Sequence, residues 1–137
     1  MTGSRTPILI VESACQHELL ERLTRIAQTN AEILITGPTG VGKEHYALHA
    51  HACSRRRDGP FVVVNCSNLG SDLLENEIFG HARGAYTGAH AAGEGLAGAA
   101  EGGTLFLDEV DSLSPTSQAK LLRFVQQREY RRLGETF

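Results

Sequence analysis

The chain lacks what would embed it in a membrane or carry it out of a cell. No apolar run exceeds four or five residues, whereas a membrane-spanning helix needs about 20. MTGSRTPILIVES opens the chain without a charged-then-apolar leader pattern, so a cytoplasmic, membrane-free protein is expected. Cysteine is sparse. Cys15, Cys53 and Cys66 form an odd set without C-x-x-C spacing, which reads as reduced thiols and not as a disulfide framework. An excess of positive charge is also missing: 13 Lys and Arg against 16 Asp and Glu leave a net charge of −3. That argues against a general nucleic-acid binder. With 41% hydrophobic and 21% charged residues, the chain is not disordered. Its 137 residues suit one domain.

Glycine is the residue in excess, 15 in all, about 11% against a usual ~7%. Eight glycines and eight alanines fall within the 24 residues 80–103. Such a stretch either moves or turns sharply more than once. Elsewhere the chain alternates between two periodicities. Ser13 and Gln16 fit a capping box, followed by Leu19, Leu20, Leu23, Ile26 and Ala27 at helical spacing. Residues 32–36 (EILIT), 61–65 (FVVVN) and 104–110 (TLFLDEV) read as buried strands. Helices are expected from the end of 37–43 to about Cys53, over 71–79, and from Ser114-Pro115 to about Gln127. Strands alternating with helices predict right-handed βαβ units: an α/β fold with a parallel sheet covered by helices on both faces.

GPTGVGK (Gly37, Pro38, Thr39, Gly40, Val41, Gly42, Lys43) matches the G-x-x-x-x-G-K core of a Walker A phosphate loop. An apolar run precedes it and a helical stretch follows, as the motif requires. Gly37, Gly40 and Gly42 allow turns with positive φ, in which successive N–H groups can face phosphate oxygens. The next helix adds its N-terminal dipole, and Lys43 adds a point charge for the β and γ phosphates. Glu44 stands where a Ser or Thr ordinarily binds Mg²⁺. The third apolar run ends in Asp108 and Glu109. Nucleotides bind at the carboxyl ends of parallel strands, so 104–109 reads as a Walker B segment. Asp108 would orient Mg²⁺ or its waters and Glu109 would polarise the attacking water. Of His45, His49, His51 and Cys53 only the i,i+4 pairs His45–His49 and His49–Cys53 share a helix face, and there is no H-E-x-x-H, so no zinc site is expected.

Four segments, in order, resemble the AAA+ domain of bacterial enhancer-binding proteins, the ATPases that activate sigma-54 RNA polymerase. EIFGHARGAYTGA is similar to ELFGHEKGAFTGA, and GPTGVGKE to GETGTGKE, in which Glu also follows the Lys. HACSRRRDGPFVVVNCSNL resembles HxxSxRxxxPFVxVNCAAL, and GGTLFLDEVDSLSPTSQAKLLRFVQ resembles GGTLFLDEIxxLxxxxQAKLLRxLQ. The likeness runs over about residues 8–134. It implies a three-layer P-loop NTPase core within 1–137, with Walker A at 37–44, a projecting loop at 80–89 and Walker B at 104–109, stopping before the sensor I strand and helical lid.

The resemblance also implies roles. Gly84, Ala85, Tyr86, Thr87, Gly88 and Ala89 correspond to the loop that contacts the sigma factor. Asn65 corresponds to a residue that holds the Walker B glutamate in an inactive pose until the nucleotide state changes. ATP and Mg²⁺ are the implied ligands. The implied partners are sigma-54 and further copies of the subunit in a ring, with DNA reached only through another domain. The family's RxGxFExA before GGT is here GEGLAGAA, which replaces Arg, Phe and Glu by Gly93, Ala97 and Gly98 and predicts a weaker helix there. Because the family's arginine fingers lie further on, weak turnover is expected of these 137 residues alone. The alternatives are a nucleotide-binding regulatory module without significant ATPase activity and a small P-loop kinase. Glu44 and GAYTGA disfavour the kinase.

Overall fold

The computed structural model describes residues 13–68, 76–82 and 92–127. The chain divides into two compact units: Met1–Phe61 with Gly102–Thr104, and Val62–Glu101 with Leu105–Phe137.

In the first unit, helix α1 spans Ala14–Ala27. Its capping box is the expected one: the Ser13 hydroxyl accepts from the Gln16 N–H at 3.2 Å, and the Gln16 side chain accepts from the Ser13 N–H at 3.3 Å. Helix α2, Lys43–Cys53, packs on α1. Leu23, Ala27 and Ala50 are buried between them, with Tyr46 and Cys53 at the margin. The small Ala side chains allow the two helices to approach closely. The Gln28 amide also donates to the Cys53 carbonyl, satisfying an acceptor at the end of α2.

Residues 32–36 do not form the expected strand. They lie outside the described helices and strands, and Leu34 is 78% exposed. A strand is defined by its ladder, and residues 32–36 are not among the described strands.

Strand β1, Phe61–Asn65, and strand β4, Thr104–Asp108, form one two-stranded sheet. They run parallel. The Thr104 N–H donates to the Pro60 carbonyl at 2.8 Å where both begin, and the 3-10 turns that follow them, Cys66–Asn68 and Val110–Ser112, touch. β4 is shorter than the expected 104–110, because the chain turns at Glu109. At the start of β4, His51 Nδ1 lies 2.9 Å from the Thr104 hydroxyl, and its ring packs on Phe61 at 5.3 Å.

The core of the second unit contains Val64, Cys66, Ile78, Ala97 and Leu113. Phe79 meets Phe124 edge-on at 5.5 Å within it. Helix α4, Pro115–Gln127, is capped by Ser114, whose hydroxyl accepts from the Ser117 N–H at 3.2 Å. A second, antiparallel pair joins β2, Gly80–His81, to β3, Gly93–Glu94, with Gly80 opposite Glu94 and His81 opposite Gly93. Helix α3, Leu96–Ala99, follows. The helix expected to be weak is formed over four residues, with Ala97 and Gly98 buried. The expected helix 71–79 is helical over 76–79, and the rest of it lies outside the described residues. Among the described residues no helix is long and apolar enough to cross a membrane.

Candidate nucleotide site and loop root

The phosphate loop lies in the first unit, directly before α2. Gly40 and Gly42 both have φ of 84°, a conformation costly for any residue with a Cβ. Gly42 is the N-cap of α2 and takes the left-handed form. Gly37 is not among the glycines with positive φ. Its role is spatial: a Cβ there would stand 3.3 Å from Val41 Cγ2. Lys43 folds back over the loop. Its ammonium donates to the Gly37 carbonyl at 3.2 Å and to the Pro38 carbonyl at 3.3 Å. Thr39, Gly40 and Val41 are exposed at the tip, and Glu44 is exposed in the first turn of α2. The loop therefore presents N–H groups, a helix N-terminus and a cation on one short segment, the chemistry of a polyphosphate cradle.

The second unit brings Asn65, Asp108 and Glu109 to the carboxyl end of the β1–β4 pair. Asp108 Oδ1 accepts the Glu109 N–H at 3.0 Å. The Asp108 carboxylate also acts on Cys66. Burial pushes the Cys66 thiol above its ordinary range, and the Asp108 charge pushes it further. Cys66, 2% exposed, is a packed hydrophobe. Glu109 has φ 53° and ψ 44° and is the one non-glycine residue with positive φ among the described residues. Strain of this kind gathers at functional positions.

No hydrogen bond among the described residues joins Asn65 to Glu109. The Asn65 side-chain oxygen instead accepts from the Ser67 N–H at 2.9 Å and from the Ser67 hydroxyl at 2.6 Å. Ser67 was not singled out in the sequence. The signal was there in N-x-S, the pattern of an Asx turn.

Residues 84–89, the expected sigma-factor contact, lie outside the described residues. Their root is described. Gly80 has φ of 75°, and a Cβ on it would lie 2.5 Å from the Gly95 nitrogen. His81 Nδ1 is 2.7 Å from Asn76 Oδ1. The root is thus a glycine-built antiparallel ladder that admits no side chain at its crossing.

Residues 9–137 match the family described as the sigma-54 interaction domain. The chain belongs to that family. It is 47% identical to the transcriptional regulatory protein ZraR of Salmonella typhimurium over 126 residues, 92% of this chain and 29% of the relative. It is 48% identical to the sigma54-dependent transcriptional activator SfnR of Pseudomonas putida over 133 residues, 97% of this chain and 36% of the relative. A crystal structure of NtrX from Brucella abortus in complex with ATP superposes with a TM-score of 0.80 at 36% identity, covering 95% of this chain and 27% of that one. The domain is accordingly an α/β P-loop NTPase core of the AAA+ type. It spans roughly a third of its curated relatives' length, 29% of ZraR and 36% of SfnR.

Proposed function

We propose that this domain binds ATP and, assembled with further copies in a ring, couples ATP hydrolysis to the remodelling of sigma-54 RNA polymerase. The observation that carries the reading is the phosphate loop. Gly40 and Gly42 hold left-handed turns directly before α2, and Lys43 lies over the loop carbonyls. ATP phosphates would take Lys43 from those carbonyls, exchanging two neutral acceptors for charged ones. Binding by NtrX, crystallised with ATP, supports the same reading here.

Asp108 fits a hard divalent cation. Among the described residues only its Oδ1 is hydrogen-bonded, so a carboxylate oxygen stays open for an Mg²⁺ ligand set of oxygens. Mg²⁺ there would neutralise charge on the β and γ phosphates. Glu109 is the base that polarises water, and Asn65 is the carboxamide that restrains it. Gly84, Ala85, Tyr86, Thr87, Gly88 and Ala89 are the sigma-54 contact. The protein acts in the cytoplasm and reaches DNA through a separate domain.

A titration of Mg-ATP into the chain tests the first step. Saturable binding with one site is expected, and no heat at millimolar nucleotide would overturn the proposal. The alternative, a nucleotide-binding module without turnover, draws support from α3, where Ala97 and Gly98 stand in place of an aromatic and an acid. ATP turnover in the assembled protein separates the two.

A further inference from the structure

We infer that Ser67 is a positioning residue for the acidic strand end, acting by fixing the carboxamide of Asn65; this rests on the roles proposed above for Asn65 and Glu109. Asn65 is half-buried at the end of β1. Its Oδ1 accepts the Ser67 backbone N–H at 2.9 Å and the Ser67 hydroxyl at 2.6 Å. A backbone N–H can only donate, so the oxygen end of the carboxamide must face Ser67. The amide end, with two N–H donors, must face away. Among the described residues it has no acceptor.

β4 runs parallel beside β1 and ends in Asp108 and Glu109, and the turns after the two strands touch. The open donors therefore stand at the same sheet edge as two carboxylates. A carboxylate accepts hydrogen bonds and repels a carbonyl oxygen. The orientation of Asn65 that Ser67 imposes is thus the one in which it can hold Glu109.

The two bonds from Ser67 are separable. Ser67→Ala keeps the backbone N–H and removes only the hydroxyl. The resembling family pattern reads VNCAAL where this chain reads VNCSNL, so the hydroxyl is a feature this sequence adds. Ser67 is exposed, so the change leaves the core untouched. Without the hydroxyl the amide flips more readily and the hold on Glu109 loosens.

The test is basal ATP turnover of the assembled protein without sigma factor, for wild type, Ser67→Ala, Ser67→Thr, Asn65→Ala and the Asn65→Ala/Ser67→Ala double variant. Loss of one neutral hydrogen bond should raise kcat for Ser67→Ala by about three- to tenfold, with KM for ATP within about twofold. Ser67→Thr, which keeps a hydroxyl, should stay near wild type. In the Asn65→Ala background, Ser67→Ala should change nothing further, a non-additivity that a merely structural role would not produce. An unchanged or lowered kcat in Ser67→Ala, or an equal effect in both backgrounds, overturns the inference alone. A wild-type protein that binds ATP without turning it over overturns the reading of Glu109 and the inference with it.

Discussion

Ser112 donates both its backbone N–H, at 3.0 Å, and its hydroxyl, at 2.7 Å, to the main-chain carbonyl of Glu109. Glu109 is held by these bonds in the left-handed conformation at which β4 stops. A residue with a Cβ gives up about 1–2 kcal/mol to sit there. Glycine at this position should relieve the strain, and Ala should not. Glu109→Gly is therefore expected to unfold about 1 kcal/mol later than Glu109→Ala in urea, although glycine ordinarily destabilises. Alanine proving the more stable would show that the backbone at Glu109 relaxes once its side chain is removed.

Lys43 is expected to be the strongest single contributor to nucleotide affinity. Its ammonium already lies against the Gly37 and Pro38 carbonyls, so phosphate binding needs only a short swing. Lys43→Ala should weaken Mg-ATP binding at least tenfold, about 1.4 kcal/mol. Calorimetry giving the same affinity for both proteins would refute it.

Thr87 is proposed as part of the sigma-factor contact and not of the phosphate cradle. In the full protein, Thr87→Ala should leave Mg-ATP affinity within about twofold, under 0.5 kcal/mol, and abolish capture of sigma-54 in the presence of a transition-state nucleotide analogue. Undiminished capture would remove residue 87 from the contact.

His51 links stability to pH. Burial lowers its imidazole pKa below the ordinary value near 6.5. The unfolded chain then takes up the proton first as pH falls. The stabilisation from neutral His51 is complete above the unfolded value and is lost as pH drops through that value toward the folded one. The urea midpoint should fall between pH 7.5 and 5.5, and fall less in His51→Gln. Other groups titrate in both proteins, so the difference between the two slopes isolates His51. Identical slopes would assign the pH dependence elsewhere.

The root of the loop depends on glycine. An Ala at Gly80 would combine a strained φ with a Cβ 2.5 Å from the Gly95 nitrogen. Gly80→Ala should destabilise the domain by about 1–3 kcal/mol, read as a lower melting temperature. An unchanged melting temperature would mean that the β2–β3 ladder opens without disturbing the core.

What the sequence determined by itself is what closes over a few residues. The Ser13–Gln16 capping box and the Ser114 cap were legible because each bond spans three residues. The phosphate loop was legible for a similar reason: strand composition, glycines and Lys43 occupy one continuous segment, and Gly40 and Gly42 take the left-handed turns that glycine allows. The order of motifs was enough to assign the family. What needed the tertiary structure is what depends on a distant partner. Ile33, Leu34 and Ile35 carry strand composition, yet a ladder needs a second chain segment, and composition cannot supply one. The root of the loop pairs Gly80 with Glu94, fourteen residues on, and its lack of space for a Cβ comes from backbone that crosses there. Glu109 reads as the next residue of a strand, but it leaves the strand because its carbonyl is drawn into the turn closed by Ser112. In each case the competing conformations are close in energy locally, and a contact made elsewhere in the fold selects one of them.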